Sequence, residues 1–458
     1  MSVHQLKYSA MNHNLQRLYD AASRPSRRII GLMSGTSMDG LDVALCQITG
    51  HGGATKVELL NFETVDYTDD IKAEIRKVFA KKTIDFQHLT LLNEWIGRLH
   101  GEMVVSCLKK WGFKNDVELG IWDIDTLPTS DSRHPTSIDL VASHGQTVFH
   151  APKILHGMGK FGNATLQIGD GDHIAVTTGI ITVSDFRQRH IAAGGEGAPL
   201  AVYGDYFIFS DPSENRIMLN MGGIANFTYL PASLDASEVF VTDTGTGNTL
   251  LDAFIRRFFP EKAYDKDAEI ARRGTVLPDL LTTLKSDDFF KKAFPKTTGP
   301  ELFSVEYVET AIKNTSREGG TSSSVSKLFS ALKSKKKRPS DRQIADLLST
   351  LTRFSAETIA EAIRHVFIGK KLSDTDIRQF KIYMSGGGMH NPLLVKWLKE
   401  LLPEIEFRQT NDLGINGDAK EAVLFAILAN ECVTGNNTDF GNREGVPSVS
   451  MGKISFPN

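Results

Sequence analysis

Residues 29–45 read Ile29-Ile30-Gly31-Leu32-Met33-Ser34-Gly35-Thr36-Ser37-Met38-Asp39-Gly40-Leu41-Asp42-Val43-Ala44-Leu45. An apolar run enters a turn of small and hydroxylic residues and a second apolar run leaves it, which predicts a β-hairpin. The turn glycines let the backbone bend close to a ligand, and the hydroxyl and N–H groups suit a phosphate. Asp39 and Asp42 suit a phosphate that arrives with a divalent cation. An ordinary polar hairpin turn remains the alternative on these residues alone.

Composition narrows the class of protein. The chain has 458 residues, which is enough for two or three domains, and its net charge of −3 argues against a general nucleic-acid or membrane-surface binder. No apolar run approaches the roughly 18 residues needed to cross a bilayer, and the start lacks a signal-peptide core. The three cysteines Cys46, Cys107 and Cys432 are far apart and in no metal spacing. We therefore predict a reducing, cytoplasmic location without disulfides.

Strand-like segments end repeatedly in glycine and polar residues, as in α/β proteins, where functional groups gather at strand ends. Residues 138–147, 165–171 and 179–185 follow this pattern and predict one wall of a cleft. Residues 216–230 again read strand, glycine turn, strand, and therefore echo the opening hairpin. The echo predicts two similar α/β lobes, with chance similarity as the alternative.

The remaining segments predict the connecting structure. Residues 86–107 carry an apolar stripe at helical spacing, and residues 113–137 read as a polar surface loop. A helix is expected from about Thr249, with its N-terminus placed for a phosphate. Residues 315–340 read as a flexible insertion whose basic run, 333–338, is a solvated loop or a nuclear-import signal. A long amphipathic helix is expected to start near Asp341.

The motifs fall in a definite order along the chain. They are Gly35-Thr36-Ser37-Met38-Asp39-Gly40-Leu41-Asp42, His144-Gly145-Gln146-Thr147, Leu166-Gln167-Ile168-Gly169-Asp170, Asp185-Phe186-Arg187, Gly197-Ala198-Pro199-Leu200, Asn220 with Gly222-Gly223-Ile224-Ala225-Asn226, Asp243-Thr244-Gly245 with Gly247-Asn248, Ser385-Gly386-Gly387-Gly388 with Asn391-Pro392, Gly417-Asp418 with Glu421-Ala422, and Val446-Pro447-Ser448-Val449. This series resembles the anhydro-N-acetylmuramic acid kinase family, which belongs to the superfamily of sugar kinases, heat-shock protein 70 and actin. The similarity runs from about residue 28 to the C-terminus.

The resemblance implies an α/β fold of two actin-like (ribonuclease H-like) lobes, each a mixed sheet flanked by helices, with ATP and sugar in a central cleft. We expect an N-terminal extension at 1–26, lobe I at 27–205 and lobe II at 206–458. The implied reaction opens 1,6-anhydro-N-acetylmuramic acid with water and phosphorylates its O6 in one event. The implied partners are the anhydro sugar, ATP and Mg²⁺, without nucleic acid or membrane, and the family pattern suggests a homodimer.

Asp185 matches the catalytic aspartate of the family, and the resemblance implies that it activates the attacking water. A helix N-cap, or an ion pair with Arg187 or Arg189, is the structural alternative for Asp185. The implied sugar contacts are His144, Gln146, Thr147 and Arg187. The implied Mg²⁺ ligands are Asp39 and Glu421, through water; for Glu421, a favourable charge at a helix N-terminus is the alternative.

The implied nucleotide contacts come from several glycine-rich turns. They are Gly35, Thr36, Ser37, Met38, Asp39, Gly40, Leu41, Asp42, Asn220, Gly222, Gly223, Asn226, Asp243, Gly245, Gly247, Asn248, Gly386, Gly387, Gly388 and Asn391.

The chain departs from the family at His190, Glu196 and Thr246, where aspartate, glutamine and proline are usual. These changes leave Asp185 and the phosphate turns in place, so kinase chemistry is expected to survive. His190 and Glu196 lie close to Asp185 in sequence and bear on which sugar is used. A levoglucosan (1,6-anhydroglucose) kinase and a catalytically silent actin-like nucleotide-binding module are the alternatives.

Overall fold

The computed structural model describes residues 11–35, 37–116, 121–124, 137–198, 200–299, 301–317, 323–333, 338–370, 373–415, 417–435, 438–441, 443 and 445–458. The chain divides into two compact units. Unit 1 comprises Met1–Phe209 and Gly414–Asn458, and unit 2 comprises Ser210–Leu413. In the described ranges, no helix combines the length and the apolar character that spanning a membrane requires.

The strands, in chain order, are β1 (Ser26–Ser34), β2 (Gly40–Thr49), β3 (Lys56–Asp66), β4 (Phe113–Asp116), β5 (Ile121–Ile124), β6 (Leu140–Ala151), β7 (Ala164–Ile168), β8 (Thr182–Ser184), β9 (Asn215–Met221), β10 (Ile224–Leu230), β11 (Phe240–Thr246), β12 (Phe380–Ser385), β13 (Glu406–Gln409) and β14 (Lys453–Ser455). The helices are α1 (His13–Ser23), α2 (Asp69–Arg76), α3 (Phe86–Lys110), α4 (Lys153–His156), α5 (Gly171–Thr178), α6 (Phe186–Ala192), α7 (Ala201–Phe209), α8 (Thr249–Phe258), α9 (Pro278–Lys285), α10 (Val305–Arg317), α11 (Ser323–Lys333), α12 (Asp341–Gly369), α13 (Asp374–Ile377), α14 (Pro392–Leu401) and α15 (Lys420–Val433).

The sheet of unit 1 is built on the predicted hairpin. Strands β1, β2 and β3 form an antiparallel meander, and β6 and β8 extend the sheet beyond β1 in parallel. The full order is β14-β8-β6-β1-β2-β3, with β7 paired to β6 outside this path. Residues Ile29, Ile30 and Leu32 of β1 are fully buried, because a central strand is covered on both faces.

The sheet of unit 2 repeats this arrangement. Strands β9, β10 and β11 form the antiparallel meander, and β12 and β13 continue in parallel on the other side of β9, giving the order β11-β10-β9-β12-β13. Each unit therefore has a mixed sheet in which parallel strands continue from a meander, and each sheet is flanked by helices; in unit 1, β14 and β7 add antiparallel pairings. The predicted α/β class, with a similar mixed sheet in each half, is confirmed.

Helix α15 packs on the sheet of unit 1 through small residues. Gly31 of β1 lies directly under this helix: a Cβ built on Gly31 would be 1.8 Å from the carbonyl oxygen of Ala422. The residues that follow α15 then add β14 to the edge of the sheet, antiparallel to β8. The unit boundaries therefore differ from the predicted lobes, because residues 414–458 pack with unit 1 and not with the second half of the chain.

Two connecting segments also differ from their predictions. Residues 113–137 were expected to form a surface loop, but β4 and β5 pair as an antiparallel hairpin. Residues 117–120 and 125–136 lie outside the described residues. Within the predicted flexible insertion, α11 forms, and its Val325 and Leu328 are buried in the helical core of unit 2. An apolar pair facing that core explains why this part is helical. Residues 318–322 lie outside the described residues, as do residues 334–337, which hold most of the basic run.

The close approach at Gly31 makes a stability prediction. Gly31→Ala would force a methyl group into the backbone of α15, and overpacking of this kind costs roughly 1–3 kcal/mol. Urea denaturation should show that loss in the free energy of unfolding. Gly162→Ala is the matched control, because no heavy atom lies within 4 Å of its added Cβ. Equal stability of the two variants would contradict the packing.

Candidate active site

A cavity of about 680 Å³ opens in unit 1 where the middle of β6 and the ends of β7 and β8 meet α3 and β14. Its size is typical of small-molecule sites in proteins. Its lining includes Asn93, Ser143, Asp170, Asp185, Gln188 and Lys453. The hydroxyl of Ser143 is buried and has no hydrogen-bond partner among the described residues. Because buried polar atoms are nearly always paired, this hydroxyl is available to a polar ligand in the cavity.

Asp185 lies at the end of β8, with φ 57° and ψ 35°. A non-glycine residue in this left-handed conformation is strained, and such strain concentrates at functional sites. The side chain makes no capping hydrogen bond to α6 within the described chain. Instead, the ammonium of Lys453 donates to Asp185 Oδ2 over 2.8 Å. Asp185 thus occupies the N-cap position of α6, but within the described chain its carboxylate neither caps the helix nor pairs with Arg187 or Arg189.

Arg187 is held by two neighbours in the interior. Its Nε donates to His144 Nε2 over 2.7 Å, and its Nη1 donates to the carbonyl oxygen of Gly197 over 2.7 Å. Burial, reinforced by the charge of Arg187, lowers the pKa of His144 to about 3. The imidazole is therefore neutral, and its Nδ1 donates to the carbonyl oxygen of Gly145 over 2.8 Å. Both ring nitrogens of His144 are therefore engaged, one with Arg187 and the other with the neighbouring carbonyl within β6.

Gln146 anchors the opening turn. Its Oε1 accepts from the hydroxyl of Ser34 over 2.6 Å, and its Nε2 donates to the carbonyl oxygen of Gly35 over 3.0 Å. Ser34 Oγ lies 2.8 Å from the hydroxyl of Tyr67, which lies 2.6 Å from His100 Nε2. A buried chain of polar groups thus connects the turn to α3. Thr147, the next residue, accepts a hydrogen bond from Gln167 Nε2 over 3.3 Å.

Carboxylates gather at the end of the hairpin. The hydroxyl of Ser37 donates to Asp39 Oδ1 over 2.6 Å and is the main reason that the pKa of Asp39 is lowered. Burial raises the pKa of Asp42, and the negative charges of Asp39 and Asp418 raise it further. Thr36, in the middle of the turn, lies outside the described residues. The acidic residues of the motif are therefore electrostatically coupled to one another.

Asp39 and Asp42 supply carboxylate oxygens of the kind that a hydrated magnesium ion takes as ligands. In the ranges the structure describes, no three His, Cys, Asp or Glu side chains are placed to form a complete metal site. Magnesium usually keeps several waters and takes only one or two carboxylates. Glu421, the second predicted ligand, lies in the first turn of α15. Burial lowers the pKa of Arg187, and the negative charge of Glu421 partly offsets this effect.

The predicted nucleotide residues of unit 2 lie in a row across its sheet. Asn226 of β10 is opposite Asn220 of β9 on one side and opposite Asp243 of β11 on the other, and Ser385 of β12 is opposite Asn220. Residues in register on neighbouring strands project from the same face. Burial raises the pKa of Asp243, whose Oδ2 accepts from the N–H of Thr298 over 2.8 Å.

Glycines bring the turns of unit 2 into close contact. Gly386 has φ +79°, and a Cβ there would be 2.7 Å from Asn220 Oδ1. A Cβ on Gly247 would be 2.3 Å from the carbonyl oxygen of Gly222. Only glycine can hold these positions, because any side chain would separate the turns. The backbone at 222–223, 245–248 and 386–388 therefore forms one connected surface.

Three predicted nucleotide contacts of unit 2, Gly247, Asn248 and Asn391, have structural partners. The N–H groups of Gly247, Asn248 and Thr249 donate to the carbonyl oxygens of Gly222 and Gly223, at 2.8–3.1 Å. These donors at the N-terminus of α8 join the two turns and are not free to bind a phosphate. Asn391 caps α14, since its Oδ1 accepts from the N–H groups of Leu393 and Leu394.

His190, the departure nearest to Asp185, supports the loop that follows α6. Its Nδ1 accepts from the N–H of Gly197 over 3.0 Å, and its Nε2 lies 3.1 Å from the hydroxyl of Tyr203. Burial is the main cause that lowers the pKa of His190 to about 4, so the ring is neutral. The loop carries Gly197, whose carbonyl holds Arg187. His190 therefore helps to position Arg187 through the backbone of Gly197.

Sequence reasoning missed Lys453 and Ser143. Lys453 reaches Asp185 because β14 pairs with β8, with Lys453 opposite Ser184. Its sequence signal is a short alternating segment near the C-terminus, Lys453-Ile454-Ser455-Phe456, which indicates a strand but not its neighbour. Ser143 precedes the His-Gly-Gln-Thr motif within the same predicted strand.

Comparison with known proteins gives a consistent result. A family model described as anhydro-N-acetylmuramic acid kinase matches residues 27–121 and 123–454. The chain is 51% identical to an anhydro-N-acetylmuramic acid kinase of Pseudoalteromonas atlantica, over 98% of this chain and 100% of that protein. It is 47% identical to the protein of that name from Pseudoalteromonas translucida, over 97% and 100% of the two chains. It is 36% identical to that from Caldanaerobacter subterraneus, over 96% and 100%.

The buried chain beneath the opening turn predicts a pH dependence of stability. Burial lowers the pKa of His100 to about 3, below the value of about 6.5 expected in the unfolded chain. As the pH falls, the unfolded state takes up the proton first. The contribution of neutral His100 to the free energy of unfolding is therefore fully present above about pH 6.5 and is lost as the pH drops towards 3. His100 alone should remove about 2 kcal/mol between pH 8 and pH 5.

The variant His100→Gln cannot charge, so its loss of unfolding free energy between pH 8 and pH 5 should be smaller than that of the wild type by about 2 kcal/mol. Urea denaturation at both pH values measures the difference. His13→Gln, at an exposed position of α1, is the control and should keep the wild-type pH dependence. An unchanged pH dependence in His100→Gln would show that this imidazole is not held neutral.

Proposed function

Because the chain belongs to the anhydro-N-acetylmuramic acid kinase family, we propose that it phosphorylates 1,6-anhydro-N-acetylmuramic acid on O6 with ATP and opens the anhydro ring in the same event. The observation that carries this proposal is the position of Asp185, a residue with a strained backbone at a strand end that lines a sugar-sized cavity. The names of the relatives do not favour the levoglucosan kinase or the silent module.

In this mechanism Asp185 is the general base. It accepts a proton from a water whose oxygen bonds to the anomeric carbon C1. The bond between C1 and O6 breaks, and its electron pair remains on O6. O6 then bonds to the γ-phosphorus while the bond from that phosphorus to the β–γ bridging oxygen breaks. The products are ADP and the 6-phosphate of N-acetylmuramic acid, and no further reactant is required.

The donor side uses residues of the glycine-rich turns. ATP supplies the phosphoryl group, and Mg²⁺ neutralises charge on its phosphates. Asp39 and Glu421 would hold the ion through water, which agrees with the acidic cluster around Asp42. The backbone and hydroxyl groups at 35–42 remain candidates for phosphate contact. In unit 2, the row Asn220, Asn226 and Asp243 and the glycines at 386–388 remain candidates for nucleotide contact.

The sugar side is assigned by which polar groups are already engaged. His144 and Gln146 are committed to Arg187 and to the opening turn, so their proposed role is to position these groups. Arg187 and Thr147 stay predicted sugar contacts, although Arg187 is bonded to His144 and Gly197 and neither residue lines the cavity. Ser143 is added to them, because this residue lines the cavity and its buried hydroxyl has no partner among the described residues.

One assay tests the proposed reaction. The protein is incubated with Mg·ATP and, in separate samples, 1,6-anhydro-N-acetylmuramic acid, 1,6-anhydro-N-acetylglucosamine and levoglucosan, and ADP and sugar 6-phosphate are followed by mass spectrometry. The sample with 1,6-anhydro-N-acetylmuramic acid should give ADP and sugar 6-phosphate at equal rates. ADP release that no sugar raises above background would refute the kinase proposal.

The role of Asp185 predicts the behaviour of Asp185→Asn. The amide cannot take the proton from water, so kcat should fall at least 100-fold, within the usual range for a general base, while ATP binding measured by calorimetry stays within about threefold. Asp288→Asn is the matched control, because Asp288 also pairs with a lysine, Lys291, over 2.7 Å but lies outside the cavity. Turnover by Asp185→Asn within tenfold of wild type would remove Asp185 from the base role.

A further inference from the structure

Lys453 has no role in the proposed reaction, yet it touches the proposed base. Its ammonium lies 2.8 Å from Asp185 Oδ2, and its side chain is 64% exposed. An exposed ion pair of this kind contributes little to stability. The flexible four-carbon stem of lysine also lets the ammonium exchange one anionic partner for another. The contact is therefore better suited to function than to holding the fold.

The charges around the cavity make Lys453 distinctive. The lining carries the carboxylates of Asp170, Asp172 and Asp185. Among the described lining residues, Lys453 carries the only permanent positive charge. The nearby guanidinium of Arg187 is already bonded to His144 and Gly197 and does not line the cavity. A ligand with a negative charge would be repelled from this wall unless its anionic group met Lys453.

The proposed substrate has such a group. N-acetylmuramic acid differs from N-acetylglucosamine by a lactyl ether, whose carboxylate is ionised at neutral pH. Resting on the proposed function, we infer that Lys453 binds the lactyl carboxylate and so selects the acidic anhydro sugar over neutral ones. The ammonium changes partner from Asp185 to the substrate, which leaves both oxygens of Asp185 free to accept the proton of water. A neutral anhydro sugar leaves the ion pair of Lys453 and Asp185 in place.

Equilibrium binding tests the inference without requiring turnover. Calorimetry measures the affinity of 1,6-anhydro-N-acetylmuramic acid and of its methyl ester, which has nearly the same shape but no charge. The wild type should prefer the acid at least tenfold, which corresponds to about 1.4 kcal/mol. Lys453→Met should reduce this preference to less than about threefold, and Lys453→Arg, which keeps the charge, should restore most of it.

Lys110→Met is the matched control. Lys110 is also exposed, its ammonium lies 2.7 Å from Glu63 Oε1, and neither residue lines the cavity. It should keep the wild-type preference. A preference that survives in Lys453→Met would overturn the inference. So would an equal loss of affinity for acid and ester, which would mean that Lys453 acts only through Asp185.

Turnover separates this inference from the proposed function. The ratio of kcat/KM for the acid to that for 1,6-anhydro-N-acetylglucosamine should fall at least tenfold in Lys453→Met. If the wild type binds the acid preferentially but forms no sugar phosphate, the proposed reaction fails and the carboxylate site stands. If the wild type phosphorylates the acid and Lys453→Met keeps the same ratio, the reaction stands and the carboxylate site fails.

Discussion

The contact between Gly31 and the backbone of Ala422 is the constraint on which the arrangement of unit 1 depends. A strand can pack directly under a helix backbone only where it has no side chain, so β1 must carry glycine at this point. Helix α15 can then lie on the sheet, and the chain that follows returns to pair β14 with β8. That pairing brings Lys453 to Asp185 at the edge of the cavity.

The site also depends on groups that are kept neutral. His100 and His144 are buried, and burial holds both imidazoles uncharged at neutral pH. Neutral rings can accept as well as donate hydrogen bonds, and His144 uses this to hold the guanidinium of Arg187. A protonated His144 would repel Arg187 and release it. The ion pair of Lys453 and Asp185, in contrast, lies at the edge of the cavity, where water or a ligand can reach it.

Local patterns predicted much of this structure. The alternation of apolar runs with glycine-rich turns predicted the hairpins of β1–β2 and β9–β10, and the end of an apolar segment predicted the position of Asp185. These features depend on neighbours in sequence, for which turn chemistry and periodicity are informative. The apolar face of α11 was not predicted, because the flanking residues are rich in serine and lysine and favoured the prediction of a flexible segment.

The partners of the site residues could not be predicted in the same way. Lys453 and Asp185 are far apart in sequence and are brought together by the pairing of β14 with β8. The N–H groups at 247–249 donate to carbonyl oxygens of the turn at 222–223. Both outcomes depend on tertiary competition for hydrogen bonds and charges, which a local motif does not encode.

The central claim is that attack by water on C1 and transfer of phosphate to O6 are one reaction. Running it in heavy-oxygen water, with mass spectrometry of the product and a control for exchange of the product alone, tests this most directly. The account predicts label on the C1 hydroxyl and none in the phosphate. Label in the phosphate, with the anhydro ring intact, would show simple hydrolysis of ATP and would contradict it.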